Sequence, residues 1–362
     1  MNKEAVRTRV GAYIKWSMVG NVTALVVFYA LLSVSSLRNL DNAVVVLGIA
    51  FLIGLAVQVV AGIIALFFSG KRLIGLGALI SAPVFAAAGF LPLLAGAGWG
   101  RPLRIKGRQL HPDLREGSDW TKGDRPDASK LDEPTRKALA ALWLHDAQKE
   151  HASVPAFSRI SWMLAAVGAP AELMEWSHRA ALEEIEHTRL CFALAAGYGG
   201  KSYSVEPMPD LLLGGLDVEA DPIVVLATES LSDGCQLEDF NADVAGACAQ
   251  VCEEPATRKV LEQIAREERL HADFSWALLE WLLNRSPAKV IPAIEKTLEN
   301  ISDTQRPTAV SWDKMPVVAL ADPVLMQKHG RLPDERWGEL WEIRHAETKR
   351  RLGALLKVKK AA

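Results

Sequence analysis

Residues 181–190 read ALEEIEHTRL, which places three glutamates and a histidine within five positions. Like charges on neighbouring helix turns repel, so such crowding needs either a solvated face or a cation to hold it. Glu184 and His187 stand three apart and share one face of a helix, where a carboxylate and an imidazole can grip the same ion. The spacing Glu-x-x-His occurs four times: Glu175/His178, Glu184/His187, Glu268/His271 and Glu342/His345. A three-residue spacing alone is a weak signal, and context separates the four.

Two of the four have matching surroundings. Ala181, Glu183, Glu184, His187, Ala193 and Leu194 recur 84 positions later as Ala265, Glu267, Glu268, His271, Ala277 and Leu278. Upstream of each lies a second echo, Gln148-x-Glu150 and, 88 positions on, Gln236-x-Glu238. Each half of the region is thus a single glutamate on one element followed by Glu-x-x-His on the next. The duplication keeps its polar residues in register.

The elements that must position these residues read as helices. One starts after Asp132 and runs to Gly168, with Pro155 expected to kink or break it near His151. A second spans Pro170 to Gly197. A third opens at Asp221-Pro222, a cap followed by proline in the first turn, and a fourth runs from Pro255 to about Asn284. Connections are short within each pair, whereas 197–221 is long and rich in Gly and Pro. At ~1.5 Å per residue, Glu150 and Glu184 lie about 27 and 21 Å from their shared turn. Glu238 and Glu268 lie about 22 and 20 Å from theirs. Antiparallel packing would bring each pair to similar height, and the spacing permits one shared site.

This pattern resembles the ferritin-like di-iron carboxylate superfamily, with a ligand order like that of the rubrerythrins: two single glutamates and two Glu-x-x-His pairs facing into a four-helix bundle with one long crossover. The resemblance covers about 133–285. It implies an all-α fold and two iron ions, with manganese as the alternative. Metal ligands would be Glu150, Glu184, His187, Glu238, Glu268 and His271, with Glu184 and Glu268 bridging. Four carboxylates balance two divalent cations, and imidazole with carboxylate suits iron or manganese better than calcium or a thiolate-bound zinc. Without metal, four buried acids would repel and raise one another's pKa.

Competing residues are weighed by position. Glu229 is the alternative to Glu238; nine residues part them, half a helical turn out of phase, so only one can face the core. The Gln-x-Glu echo selects Glu238. Glu183, Glu186 and Glu267 are expected in solvent or as outer partners of the ligands. Glu175/His178 falls on the opposite face from Glu184, and Glu342/His345 lacks both flanking echoes, so both pairs are read as structural. His145 and His151 are expected to pack or cap.

Before this region the composition changes. Residues 1–100 carry seven Lys or Arg against two acids, and the remainder carries 34 against 41. Three apolar stretches, 17–37, 43–69 and 73–99, are each long enough to span a bilayer, which takes about 20 helical residues. Basic residues balance best with an even number of crossings, which puts the remainder of the chain on the cytoplasmic side. The expectation is a multi-pass protein of a bacterial inner or plasma membrane with two or three membrane helices in 1–99. The second and third stretches hold no acid, base or histidine, which favours an anchor over an ion path. Residues 100–132 read as a charged linker, and 286–362 as a helical extension around an irregular stretch. No base-reading motif points to nucleic acid. Four cysteines form no CxxC pair, so a rubredoxin-like electron centre is absent and electrons must come from a donor the sequence does not name.

The functional expectation is a membrane-anchored oxidoreductase that activates O2 or peroxide, acting on a lipophilic substrate from the lipid bilayer. Ferroxidation, iron storage or delivery at the membrane is the alternative, and a metal-free helical adaptor is a third reading.

Overall fold

The computed structural model describes residues 101–105, 108–213, 220–301, 306–311 and 313–361, all within the unit Ala95–Ala362. The three apolar stretches lie outside the described residues. Among the described residues, no helix is long and apolar enough to cross a membrane.

Helices begin where the sequence supplies an oxygen for the free N–H groups of a first turn. Asp132 caps α1 (Glu133–Ala166), its carboxylate accepting from Thr135 N at 2.8 Å. Gly168 turns the chain with φ 66°, a left-handed conformation natural to glycine, into α2 (Ala171–Gly199). That helix ends at Gly199, two residues beyond the expected stop, and closes on Gly200, also left-handed. The crossover holds a short helix, α3 (Asp210–Leu213). Asp221 caps α4 (Pro222–Glu229) by accepting from Ile223 N at 3.0 Å. Glu254 caps α6 (Pro255–Arg285), accepting from Thr257 N at 2.6 Å.

Between α4 and α5 (Asp239–Val251), residues Ser230–Glu238 form a π-helical segment. Two serines, an aspartate and Gly234 make this stretch a poor α-helix former, because the polar side chains compete for backbone groups and glycine is the most flexible residue. The wider turn still continues one rod from Pro222 to Val251. Pro155 does not break α1, which runs through it for all 34 residues. An interior proline costs about 3 kcal/mol. Burial of Phe157, Ile160 and Leu164 just beyond it offsets this, at about 1.5–3 kcal/mol for each large apolar side chain.

Four rods, α1, α2, α4–α5 and α6, pack side by side, α1 on α2, α2 on α6 and α6 on the third rod. Leu139, Trp143, Phe157, Phe192, Leu194, Phe240, Leu261 and Leu278 fill the space between them. The C-terminal extension packs on this core. Its α7 (Pro287–Asn300) buries Val290 and Ile294, and α10 (Asp334–Ala361) buries Trp341 and Leu352. Two short turns, α8 (Met315–Val318) and α9 (Pro323–Lys328), lie between.

Of residues 100–132, expected as a charged linker, the described part is mostly exposed and meets the rest of the fold at separate points. Strands β1 (Arg104–Ile105) and β2 (Arg108–Gln109) form an antiparallel pair. Leu103 is buried against Ala152 and Ala156 of α1. Strand β3 (Leu114–Glu116) pairs with β4 (Tyr203–Val205) of the crossover, with Leu114 opposite Val205.

Candidate metal centre

Glu150 comes from α1, Glu184 and His187 from α2, Glu238 from the end of the π-helical segment, and Glu268 and His271 from α6. Each side chain is 0 or 1 % exposed. They converge as two overlapping groups, Glu150–Glu184–His187–Glu268 and Glu184–Glu238–Glu268–His271, each with one ligand atom per residue within 4.8 Å of the others. Glu184 and Glu268 belong to both groups, as bridging residues must. Divalent ions hold N and O ligands at about 2.0–2.2 Å, so ligands on opposite sides of one ion stand about 4.2 Å apart. Ligand atoms gathered within 4.8 Å of one another are thus near enough to share one ion.

The polar atoms facing inward have nothing to bond. His187 Nδ1 lies 3.6 Å from Glu150 and from Glu184 and 3.8 Å from Glu268. His271 Nδ1 lies 3.4 Å from Glu184 and 3.9 Å from Glu268. All but the shortest are too long for a hydrogen bond. Both oxygens of Glu150, Glu184 and Glu268, Oε2 of Glu238 and Nδ1 of both histidines are buried without a hydrogen-bond partner. Buried polar groups are otherwise almost always paired, and each unpaired one costs about 1–3 kcal/mol, more when charged. So dense a set of orphans in six residues is what a ligand set for metal ions looks like.

The outer ring atoms are fully engaged. His187 Nε2 donates to Glu267 at 2.7 Å, and His271 Nε2 donates to Glu183 at 2.9 Å. The pairing is reciprocal, since each histidine is held by a glutamate from the helix that carries the other. Such a carboxylate fixes the tautomer, keeps the Nδ1 lone pair inward and makes the ring a better ligand. The repeated Glu-Glu doublets at 183–184 and 267–268 carried this signal in the sequence, which left open whether the first glutamate of each was solvated.

Burial, followed by repulsion from Glu184, pushes the Glu150 carboxyl well above its usual range. Burial and the Glu238 charge do the same to Glu268. Burial raises Glu238 too, with Arg101 opposing. Burial also works against charge on His271, but Glu183 and Glu184 outweigh it and push the ring up to about 9. For Glu184 burial is outweighed by His187 and His271, which hold the carboxyl low. Without a cation the cluster therefore keeps protons that divalent ions would displace.

The competing residues sort cleanly. Glu229 is outside the cluster, paired with Arg159 at 2.5 Å. Glu175 and His178 are exposed. Glu342 is exposed, and His345 stacks on Trp341. His151 packs edge-on against Trp120. All four cysteines are buried and free of disulfides.

Sequence reasoning missed the support of the third rod. Asp239, next to Glu238, accepts from Arg269, from Arg344 at 3.1 Å and from Trp276 Nε1 at 3.3 Å, and Asp243 binds the same two arginines. Arg344 belongs to α10, so the C-terminal extension anchors the rod that carries Glu238. Reasoning from sequence also missed Arg101, whose guanidinium is buried beside Glu238 at 3.3 Å. A lone arginine in a charged segment gave no sign of that role. No protein family, curated protein or solved structure gives a match to the chain.

Proposed function

We propose that the chain is a membrane-anchored, ferritin-like di-iron protein that uses a carboxylate-bridged centre for oxidation with O2 or peroxide. The observation that carries this reading is the set of unpaired, buried carboxylate and imidazole atoms on six residues arranged as two overlapping groups. Four carboxylates and two neutral imidazoles balance two divalent cations, and oxygen and nitrogen donors without thiolate suit iron or manganese. Iron bound there would supply the ferrous–ferric couple needed to reduce oxygen or peroxide.

The chain's own residues would do the rest. Glu184 and Glu268, common to both groups, would hold both ions, Glu150 and Glu238 would complete one half each, and Glu267 and Glu183 keep the histidines aimed. Phe157, whose ring meets His271 edge-on at 5.1 Å, helps keep water out of a pocket where charge interactions are strong. The apolar first hundred residues would anchor the 133–285 bundle at a bilayer, cytoplasmic side, and bring lipophilic substrates within reach. An external donor would return the electrons.

Metal content and the visible spectrum of purified full-length protein, recorded before and after peroxide, test the centre. Two metals per chain with a peroxide-sensitive charge-transfer band are expected. Fewer than one metal per chain, with Glu184→Ala leaving thermal stability unchanged, would leave only a helical adaptor. Oxygen uptake that depends on an organic co-substrate separates oxidation chemistry from ferroxidation, which would proceed with ferrous iron alone and build ferric cores. Protease accessibility in sealed vesicles tests the orientation.

A further inference from the structure

We propose that Arg101 makes the two halves of the cluster unequal, so that a divalent cation fills the Glu150/His187 half first and the Glu238/His271 half second and more weakly. This rests on the di-metal reading above.

Arg101 occupies a built niche. Its Nε meets Glu238 Oε1 at 3.3 Å, its Nη2 donates to Ser275 Oγ at 2.8 Å, and its Cζ lies 4.9 Å over the Phe157 ring. Its backbone carbonyl accepts from Ser153 Oγ at 3.0 Å. Gly234 makes the room. A Cβ there would stand 2.0 Å from Ser275 Oγ and 2.6 Å from Arg101 Nη2. Arg101 Nη1 is buried without a partner, so Glu238 is the one carboxylate that answers this charge among the described residues.

The other half has no such guanidinium pair: Lys149, next to Glu150 in the chain, interacts with that carboxylate through its charge but makes no ion pair with it. Both oxygens of Glu150 are unpaired, and its one cationic neighbour within ion-pair reach among the described residues is His187, itself a ligand. A second buried arginine, Arg331, is taken up by Asp146 at 2.8 Å and by the face of Trp143. Asp146 is outside the ligand set, so that charge is spent elsewhere.

Two effects follow for a cation arriving at Glu238. It meets a fixed positive charge in a low-dielectric pocket, and a guanidinium cannot escape by losing its proton. It also finds one carboxylate oxygen engaged, where Glu150 offers two. Both lower affinity in the second half alone, and together they should separate the two binding steps by roughly tenfold or more.

The test is anaerobic calorimetric titration of the metal-stripped full-length protein in detergent with Mn(II). Two steps of unequal affinity are expected. Glu150→Gln should delete the tighter step, and Glu238→Gln should delete the weaker one and leave the tighter in place. Arg101→Gln should bring the steps together, while Arg101→Lys, which keeps the charge, should hold them apart. Two equal steps in the native protein, or loss of the tighter step in Glu238→Gln, would overturn the proposal. Should Arg101→Gln fail to fold by circular dichroism, the two glutamate variants still decide. A native protein that binds no Mn(II) or Fe(II) would sink the di-metal reading itself, a result distinct from two ions of equal affinity.

Discussion

The two halves of the bundle present the same ligands on unlike supports. Glu150, Glu184 and His187 ride on two uninterrupted α-helices joined by a short turn. Glu238, Glu268 and His271 ride on α6 and a rod whose middle is π-helical, and that rod is held from outside by Arg101 at one point and Arg344 at another. A duplicated set of side chains thus does not mean a duplicated environment. The chemistry repeats along the sequence, while its electrostatics are set by segments that lie before and after the repeat.

The residues common to both groups should have the largest effect. Glu184→Ala and Glu268→Ala each remove a residue common to both groups, so each should cost both ions, with affinity falling more than about 100-fold as an opposing buried charge loses its partners. Metal analysis after gel filtration reads this. Loss of a single ion would show that the residue serves one half only.

The outer glutamates should each act on one half. Glu267→Gln should weaken the His187 half and Glu183→Gln the His271 half, each by about 10–100-fold in metal affinity. Calorimetry of the two variants should therefore alter different steps. Identical thermograms would mean that the reciprocal pairing only stabilises the fold.

Gly234→Ala probes the unlike support. The added methyl overlaps Ser275 and Arg101 and should cost about 1–3 kcal/mol as an overpacked core site does, read as a lower Tm. The same change at Gly246, where a Cβ meets nothing within 4 Å, should be neutral or slightly stabilising.

The smallest effect is on pH dependence without metal. His271 titrates near 9 in the folded chain against an ordinary 6.5, so its contribution is complete below about 6.5 and fades as pH rises through 9. Glu150 and Glu268, raised by burial, act in the same sense, since the folded state keeps their protons longer. Thermal melts of the metal-free protein should shift down between pH 6.5 and 9, and saturating Mn(II) should abolish or reverse that slope. A metal-free Tm that climbs over this interval would contradict the assigned shifts.

Much of the scaffold was legible because its signals are local. Asp132, Gly168, Asp221-Pro222 and Pro255 mark the rod ends through caps and fixed dihedrals, which do not depend on distant residues. The six-residue cluster was legible because the duplication kept its register. The π-helical stretch was not, since serine, aspartate and glycine in a helix say only that it is weak. The break that Pro155 could cause does not occur, because its local cost is outweighed by packing that a one-dimensional reading does not weigh. Arg101 and Arg344 were invisible for the same reason: their partners lie 137 and 105 residues away.

The position of Arg101 has a practical side. A shortened version without the apolar first hundred residues would, on composition alone, be cut just ahead of α1. That cut would take the guanidinium of Arg101 along with the apolar residues. The trimmed chain would keep every residue of the centre yet leave a hollow against Phe157 and one carboxylate unanswered, so its metal loading would describe a different molecule.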